Sequence, residues 1–260
     1  MTGFLSYSNL AFEATTFTDV GTSFSASPPL SNLGTPQVPD PSAEFTGASA
    51  EFTLAGATAR DVKLVGLISH DLPDGASVQF KQSGGTNIGS AITVARYKNR
   101  PNNIYLLLDS ALSLTAIRCA ITSAGSGAHN IGTIWAGQVW EFGQLQGQRW
   151  SPQSSASVTR VAGTDWVRAG VRRRGFPGAL IGTRGEILGV NADGTAYSGE
   201  DAETIFNEIG QYGPVIYCPS SLSQSTIDAT AIYGVLESPG SPEHIEGDVF
   251  RARFNVLESR

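Results

Sequence analysis

Short runs of Val, Ile, Leu, Thr and aromatic residues recur along the first half of the chain, separated by clusters of Gly, Asn, Pro or Ser. FTLAG, VKLVGLIS, SVQFK, AITVARYK, IYLLLDS, LTAIRCAIT and IGTIWAGQVWEF each read as a strand. None carries the i, i+3, i+4, i+7 spacing of an amphipathic helix. Strands recurring at intervals of roughly 10 to 15 residues point to an antiparallel β-sandwich or jelly roll over residues 1–145. The segment from Ser27 to Phe45 holds five prolines, which fix φ and remove backbone donors, so it reads as an ordered surface loop rather than sheet.

GQLQGQRWSPQSSASV, residues 143–158, is Gln-, Ser- and Gly-rich and marks a boundary. Residues 146–260 then form a smaller β-rich domain, with strands in SVTRVAG, DWVRAGVRRRGF, PVIYCPS, ATAIYGVLES and DVFRARFNVLES. In the last, Val249, Arg251 and Arg253 alternate with Phe250, Ala252 and Phe254. One short helix is expected, near residues 199–210. There Ala202, Ile205, Phe206 and Ile209 share a face, Ser198 with Asp201 makes a capping-box pattern, and Gly210, Gly213 and Pro214 end the run. The fold class is therefore mainly β in both parts.

Composition narrows the function classes. A net charge of −6 gives no global basic field for nucleic acid or an anionic membrane. The longest apolar runs, such as IYLLL, fall far short of the ~20 residues of a membrane helix, and MTGFLSYSNLAFEATTF lacks the basic start and apolar run of a secretory signal. Cys119 and Cys218, each in a strand-like run, read as two buried reduced thiols.

Catalytic chemistry finds few groups. His70, His129 and His244 each stand alone, without a second ligand at metal-binding spacing. The Gly-rich stretches SGGTNIGS and SAGSGAHNIG lack the Lys-Ser/Thr of a phosphate loop, and no G-x-S-x-G elbow is present. Asp71 and Asp74 in DLPDG read first as turn residues, with a shared calcium ion as the other reading. No catalytic residue, cofactor or metal is expected. Trp135, Trp140, Trp150 and Trp166 fall around the boundary and read as packing residues there, or else as a stacking platform for a sugar.

Several segments together carry a resemblance: SNL (31–33), AEF (43–45), VKLVGLISHDLPDGASVQF (62–80), IRCAIT (117–122) and NIGTIWAGQVWEF (130–142). They resemble the galactose-binding-like, discoidin-type jelly-roll domain found in tail proteins of long-tailed bacteriophages. That family commonly has Asn where this chain has Asp71. DAETIFNEIGQYG, PVIYCP, IYGVLESPG and FRARFNVLES look like the β-rich unit of distal-tail or tail-tip hub proteins. The resemblance implies a structural virion protein, made in the host cytoplasm, forming a ring or collar that joins the tail tube to the tip.

Its partners would be copies of itself and the tube, tape-measure and tip proteins. Candidate contact residues are Arg172, Arg173 and Arg174, with Glu243, Glu246 and Asp248 as opposite charges. The alternative is a carbohydrate-binding module for host surface glycans, whose candidates are Asn87, Tyr97, Asn99, Asn102, Asn103 and Tyr105. A cell-envelope hydrolase is the third reading, without a nucleophile or paired-acid signature to support it.

Overall fold

The computed structural model describes the chain except residues 1–2, 22, 36–42, 96–101, 123, 143–150, 155–156, 162–163, 169–171, 212, 222, 238–239 and 260, and except the side chains of residues 151–174. The expected boundary segment therefore lies largely outside the described residues. The chain divides into two compact units. The sandwich unit is Ser6–Val139 with Leu222–Ala229, and the C-terminal unit is Trp140–Ser221 and Thr230–Ser259 with Met1–Leu5.

Strands β1 (Gly3–Tyr7), β2 (Ala14–Asp19), β3 (Ala43–Thr46), β4 (Ala50–His70), β5 (Ser77–Gln82), β6 (Asn87–Thr93), β7 (Ile104–Thr122) and β8 (Ala128–Phe142) make up the first part of the chain. Within the sandwich unit, antiparallel pairing runs β6–β5–β7–β4–β8, with β2 added to β4 and β3 to β8. FTLAG and VKLVGLIS, which read as two strands, are one. β4 continues through 21 residues, and register shifts between Ala55 and Arg60 and between Val62 and Leu64 turn it. Its first half alternates, with Ala50, Phe52 and Leu54 buried, as one covered face requires. Its second half, Leu64 to Ile68, is buried throughout, because both faces are covered. IYLLLDS and LTAIRCAIT are likewise one strand, β7.

A hydrophobic core on one side of this sheet has Phe45, Phe52, Phe80, Val65, Leu67 and Ile134 among its members. The Pro-rich segment contributes a 3₁₀ turn, Leu30–Gly34, which sends Leu30 and Leu33 into that core. Asn9 caps a second 3₁₀ turn, Leu10–Glu13, and is itself buried. Its Oδ1 accepts from Ala11 N at 3.2 Å and from Ala136 N at 2.7 Å, while its Nδ2 donates to Ile134 O at 2.9 Å. Trp135 is fully buried and donates from Nε1 to Ser6 Oγ at 2.8 Å, so it packs rather than offering a platform.

Glu51 binds two cations, Arg118 Nε of the neighbouring β7 at 2.9 Å and Lys81 Nζ of β5, one strand further on, at 2.8 Å. Hydrogen bonding to Arg118, and then to Lys81, holds the Glu51 carboxyl below its ordinary 4.5. A depressed folded-state value means stability that is present above the unfolded value and lost as pH falls through the folded one. Glu51→Gln is therefore expected to lower the melting temperature modestly at pH 7 and by less at pH 3. Equal losses at both values would show that packing, not charge, set the effect.

The later part of the chain adds β9 (Ser151–Ser154), β10 (Ser157–Val161), β11 (Thr164–Arg168), β12 (Arg172–Thr183), α1 (Arg184–Leu188), α2 (Ala202–Ile209), β13 (Pro214–Cys218), α3 (Gln224–Thr230), β14 (Ile232–Leu236), β15 (Glu243–Glu246) and β16 (Val249–Glu258). In the C-terminal unit, neighbouring strands run β13–β14–β16–β12–β9, with β15 beside β16 and β10 pairing β11. The alternation read in the last strand holds, with Ala252, Phe254 and Val256 buried. Phe254 joins Phe142, Phe206 and Tyr217 in an aromatic core, with centroids 5.5 to 6.4 Å from its own.

Three helices occur among the described residues where one was expected. α2 is the expected one, but it starts at Ala202 and its cap is Asp201, whose carboxylate accepts from Thr204 N at 2.8 Å; Ser198 lies outside it. α1 is a five-residue turn closed by a Thr183–Glu186 capping box and by Gly189 at φ 69°. α3 takes Ala229 and Thr230, which had read as the start of a strand. Most of α3 belongs to the sandwich unit, where Gln224 Nε2 donates to the Tyr105 carbonyl.

Candidate functional site

The corner at the end of β4 gathers more polar groups than any single motif suggested. Ser69 takes φ 54°, the left-handed region, which turns the chain out of the sheet. Its N–H is held by Asn103 Oδ1 at 2.8 Å, and the next N–H, of His70, donates to Asn102 O at 3.0 Å. Asp71, which read as a turn residue, has partners on β8 as well. Its carboxylate reaches across to β8, accepting from Asn130 N at 2.7 Å and from Asn130 Nδ2 at 2.9 Å, while Asp71 N donates to Asn130 O at 3.1 Å. His129 Nδ1 stands 3.8 Å from Asp71 Oδ1, and its ring packs on Phe45 at 5.2 Å.

This arrangement is a latch. It closes the open end of the β4–β8 ladder, where backbone groups would otherwise lack partners. Asp71→Ala is expected to lower stability by about 1–2 kcal/mol, since a charge-assisted pair of bonds is lost at a half-exposed site. Asp71→Asn is expected to stay within about 0.5 kcal/mol. Asn130 Oδ1 is buried without a partner, so a flip of that amide would receive the new NH2 group. Equal losses for the two variants, measured by denaturant titration, would remove the latch.

Of the proposed sugar-contacting residues, Asn102, Asn103 and Tyr105 lie together at this corner. Asn103 Nδ2 also donates to Tyr105 Oη at 2.9 Å, and Tyr105 is buried. Asn87 is exposed at the start of β6, and Tyr97 and Asn99 lie outside the described residues. Of the proposed contact residues, Arg172, Arg173 and Arg174 pair through their backbones with Ser154, Gln153 and Pro152; their side chains lie outside the described part. Glu243 and Glu246 are exposed on β15, and Asp248 is exposed beyond it. Glu243 meets two arginines of its own chain, Arg253 at 3.3 Å and Arg251 at 3.7 Å. No group of three His, Cys, Asp or Glu side chains is placed to hold a metal ion among the described residues.

A cavity of about 280 Å³ opens in the C-terminal unit. It is built where the ends of β8 and β12, helix α1 and the loop before α2 converge, and no local motif announces it. Trp140, Phe142, Leu180, Ile187 and Tyr197 line it together with Glu141, Glu186 and Glu200.

No family model matches the chain, and no curated protein matches it. Solved structures similar to half of it include the lectin domain of lectinolysin complexed with Lewis B antigen, 8% identical over 50% of this chain and 95% of that one, with a TM-score of 0.40. Others are a Streptococcus pneumoniae fucose binding module (9%, 50% and 96%, 0.38) and the family 32 carbohydrate-binding module of C. perfringens NanJ in complex with galactose (11%, 52% and 99%, 0.37). At such identities and scores the likeness says nothing about what this chain binds.

Proposed function

We propose that the protein is a structural, non-catalytic component of a bacteriophage tail tip, part of a ring or collar between tail tube and tip, with a galactose-binding-like jelly roll as its first unit. One observation carries the reading: four scattered segments that bear the family resemblance meet around residues 129–133. Leu33 of SNL accepts from Thr133 Oγ1, Ala43 of AEF pairs with Ile131, His70 pairs with the same Ile131, and Asp71 is latched to Asn130. Residues that share a family pattern for a structural reason belong in one place, and these do. The polar side chains most suited to chemistry, Asp71 and Asn103, hold backbone instead.

The experiment is antibody labelling of purified tails, with native mass spectrometry of the isolated protein. Labelling at the distal end and a defined ring are expected. A strictly monomeric protein absent from tails overturns the reading. If such a protein also binds host polysaccharide, the carbohydrate-binding alternative takes its place.

A further inference from the structure

Strand β12 is unlike at its two ends. From Gly175 to Thr183 it pairs with β16 without a register shift, while Arg172, Arg173 and Arg174 run on beyond that ladder with β9 alone beside them among the described strands. The chain that joins β9 to β12 folds as a ribbon, β10 on β11 from Ser157–Arg168 to Val161–Thr164, and no other described strand pairs with it. A two-stranded ribbon is marginally stable in water until something packs on it. Residues 151–175 hold five arginines, Arg160 and Arg168 being the others, against Asp165 alone. They carry +4 in a chain of −6, which leaves −10 on the remainder, and ion pairs within the chain do not alter that imbalance.

The opposite end of the same strand gathers carboxylates. Thr183 stands across from Val249, and Val249 across from Glu246; Arg184 N donates to Asp248 O at 3.0 Å, and Glu186 closes the Thr183 cap. Glu246 and Asp248 are exposed, and among the described residues no cation pairs with either, whereas Glu243 already holds Arg251 and Arg253. Counting Arg184, Arg251 and Arg253 against Glu186, Glu243, Glu246 and Asp248, this end remains negative. Beside these groups Ile245 and Val249 are 41% and 39% exposed, two of the three large apolar residues that the described surface leaves open. β12 spans 12 residues, so its ends lie roughly 35 Å apart, too far for Arg172–Arg174 to meet the carboxylates of their own chain. A second copy removes that obstacle.

We propose that the arginine-bearing ribbon of one copy docks on the Glu246–Val249 end of the next. Opposite charges set the partner and the register, and Ile245 and Val249 supply apolar surface for the ribbon to cover. The contact joins two different surfaces, so it is heterologous and repeats head to tail, as a ring requires. It supplies the contact between copies for the ring proposed above and rests on that reading, but the two can fail separately.

The test is sedimentation velocity and native mass spectrometry of the full chain at low and high salt. Two variants accompany it, Arg172→Glu/Arg173→Glu/Arg174→Glu and Glu246→Lys/Asp248→Lys, whose melting temperatures report whether they remain folded. The unaltered protein is expected to associate, less so with added salt. Each variant alone should associate at least tenfold more weakly. An equimolar mixture of the two should recover, because the reversed arginines of one meet the reversed carboxylates of the other. The second variant, changed only at exposed positions, decides alone if the first does not fold. Assembly unaffected by either variant overturns the contact and leaves the ring reading standing. An unaltered protein that stays monomeric, a mixture that stays apart, or retention on duplex DNA in place of self-association each overturns the contact as well.

Discussion

Asn9→Ala is expected to destabilise the sandwich unit by about 3–5 kcal/mol, the largest effect expected of a single polar substitution among the described residues. The asparagine is 4% exposed and makes three hydrogen bonds, two of them to backbone groups of β8. Truncation strands Ala136 N and Ile134 O inside the protein, and each buried group left without a partner costs about 1–3 kcal/mol. Asn9→Asp separates this account from simple loss of volume. It keeps both accepted bonds but sets a carboxylate oxygen against the Ile134 carbonyl, so it is expected to fall about as far. Denaturant titration decides. A loss under about 1 kcal/mol for either variant would mean that water reaches the site and replaces the amide.

Gly66→Ala carries the second large effect. Gly66 lies in the middle of β4, opposite Tyr105 on one side and Trp135 on the other. An added Cβ would stand 2.5 Å from the Ile104 carbonyl oxygen and 3.2 Å from Tyr105 Cδ1. A backbone oxygen in a paired strand cannot swing aside as a side-chain tip can, so β7 must shift and its ladder with β4 must stretch. About 3 kcal/mol is the expected loss, at the upper end for overpacking. Gly84→Ala serves as the control, since nothing lies within 4 Å of a Cβ there. If both variants are equally stable, β4 and β7 are looser than their pairing implies.

These two positions also show what could be read from the residues and what could not. The strands around VKLVGLIS were legible because Val, Leu and Ile in close succession have few alternatives to a covered sheet. The latch residues were visible as a corner but not as a latch, because the partner of Asp71 is Asn130, 59 positions away. GATAR, residues 56–60, looked like a break, being small, polar and partly exposed, yet the ladder continues past it through bulges. Helix α3 was hidden by its composition. QSTIDAT has one buried apolar residue, Ile227, and so no periodicity to read. Asn9 carried a local signal, an Asn before a short turn, but its larger role depends on residues at the far end of the sandwich unit. The cavity was illegible for the same reason, since its walls come from three separated segments.

The span between Asn9 and Ile134, 125 residues, bears on how the protein is made. At a synthesis rate of about 5–20 residues per second, Asn9 waits roughly 6–25 s before Ile134 is made. During that interval the chain can form the local pairing of β5 with β6, and the Leu10–Glu13 turn can meet β4, where Glu13 pairs with Arg60, but the Asn9 amide has no β8 backbone to close upon. Asn9 is made long before the backbone that holds it, and a chaperone that shields it in the meantime would act on the segment FLSYSNLAF.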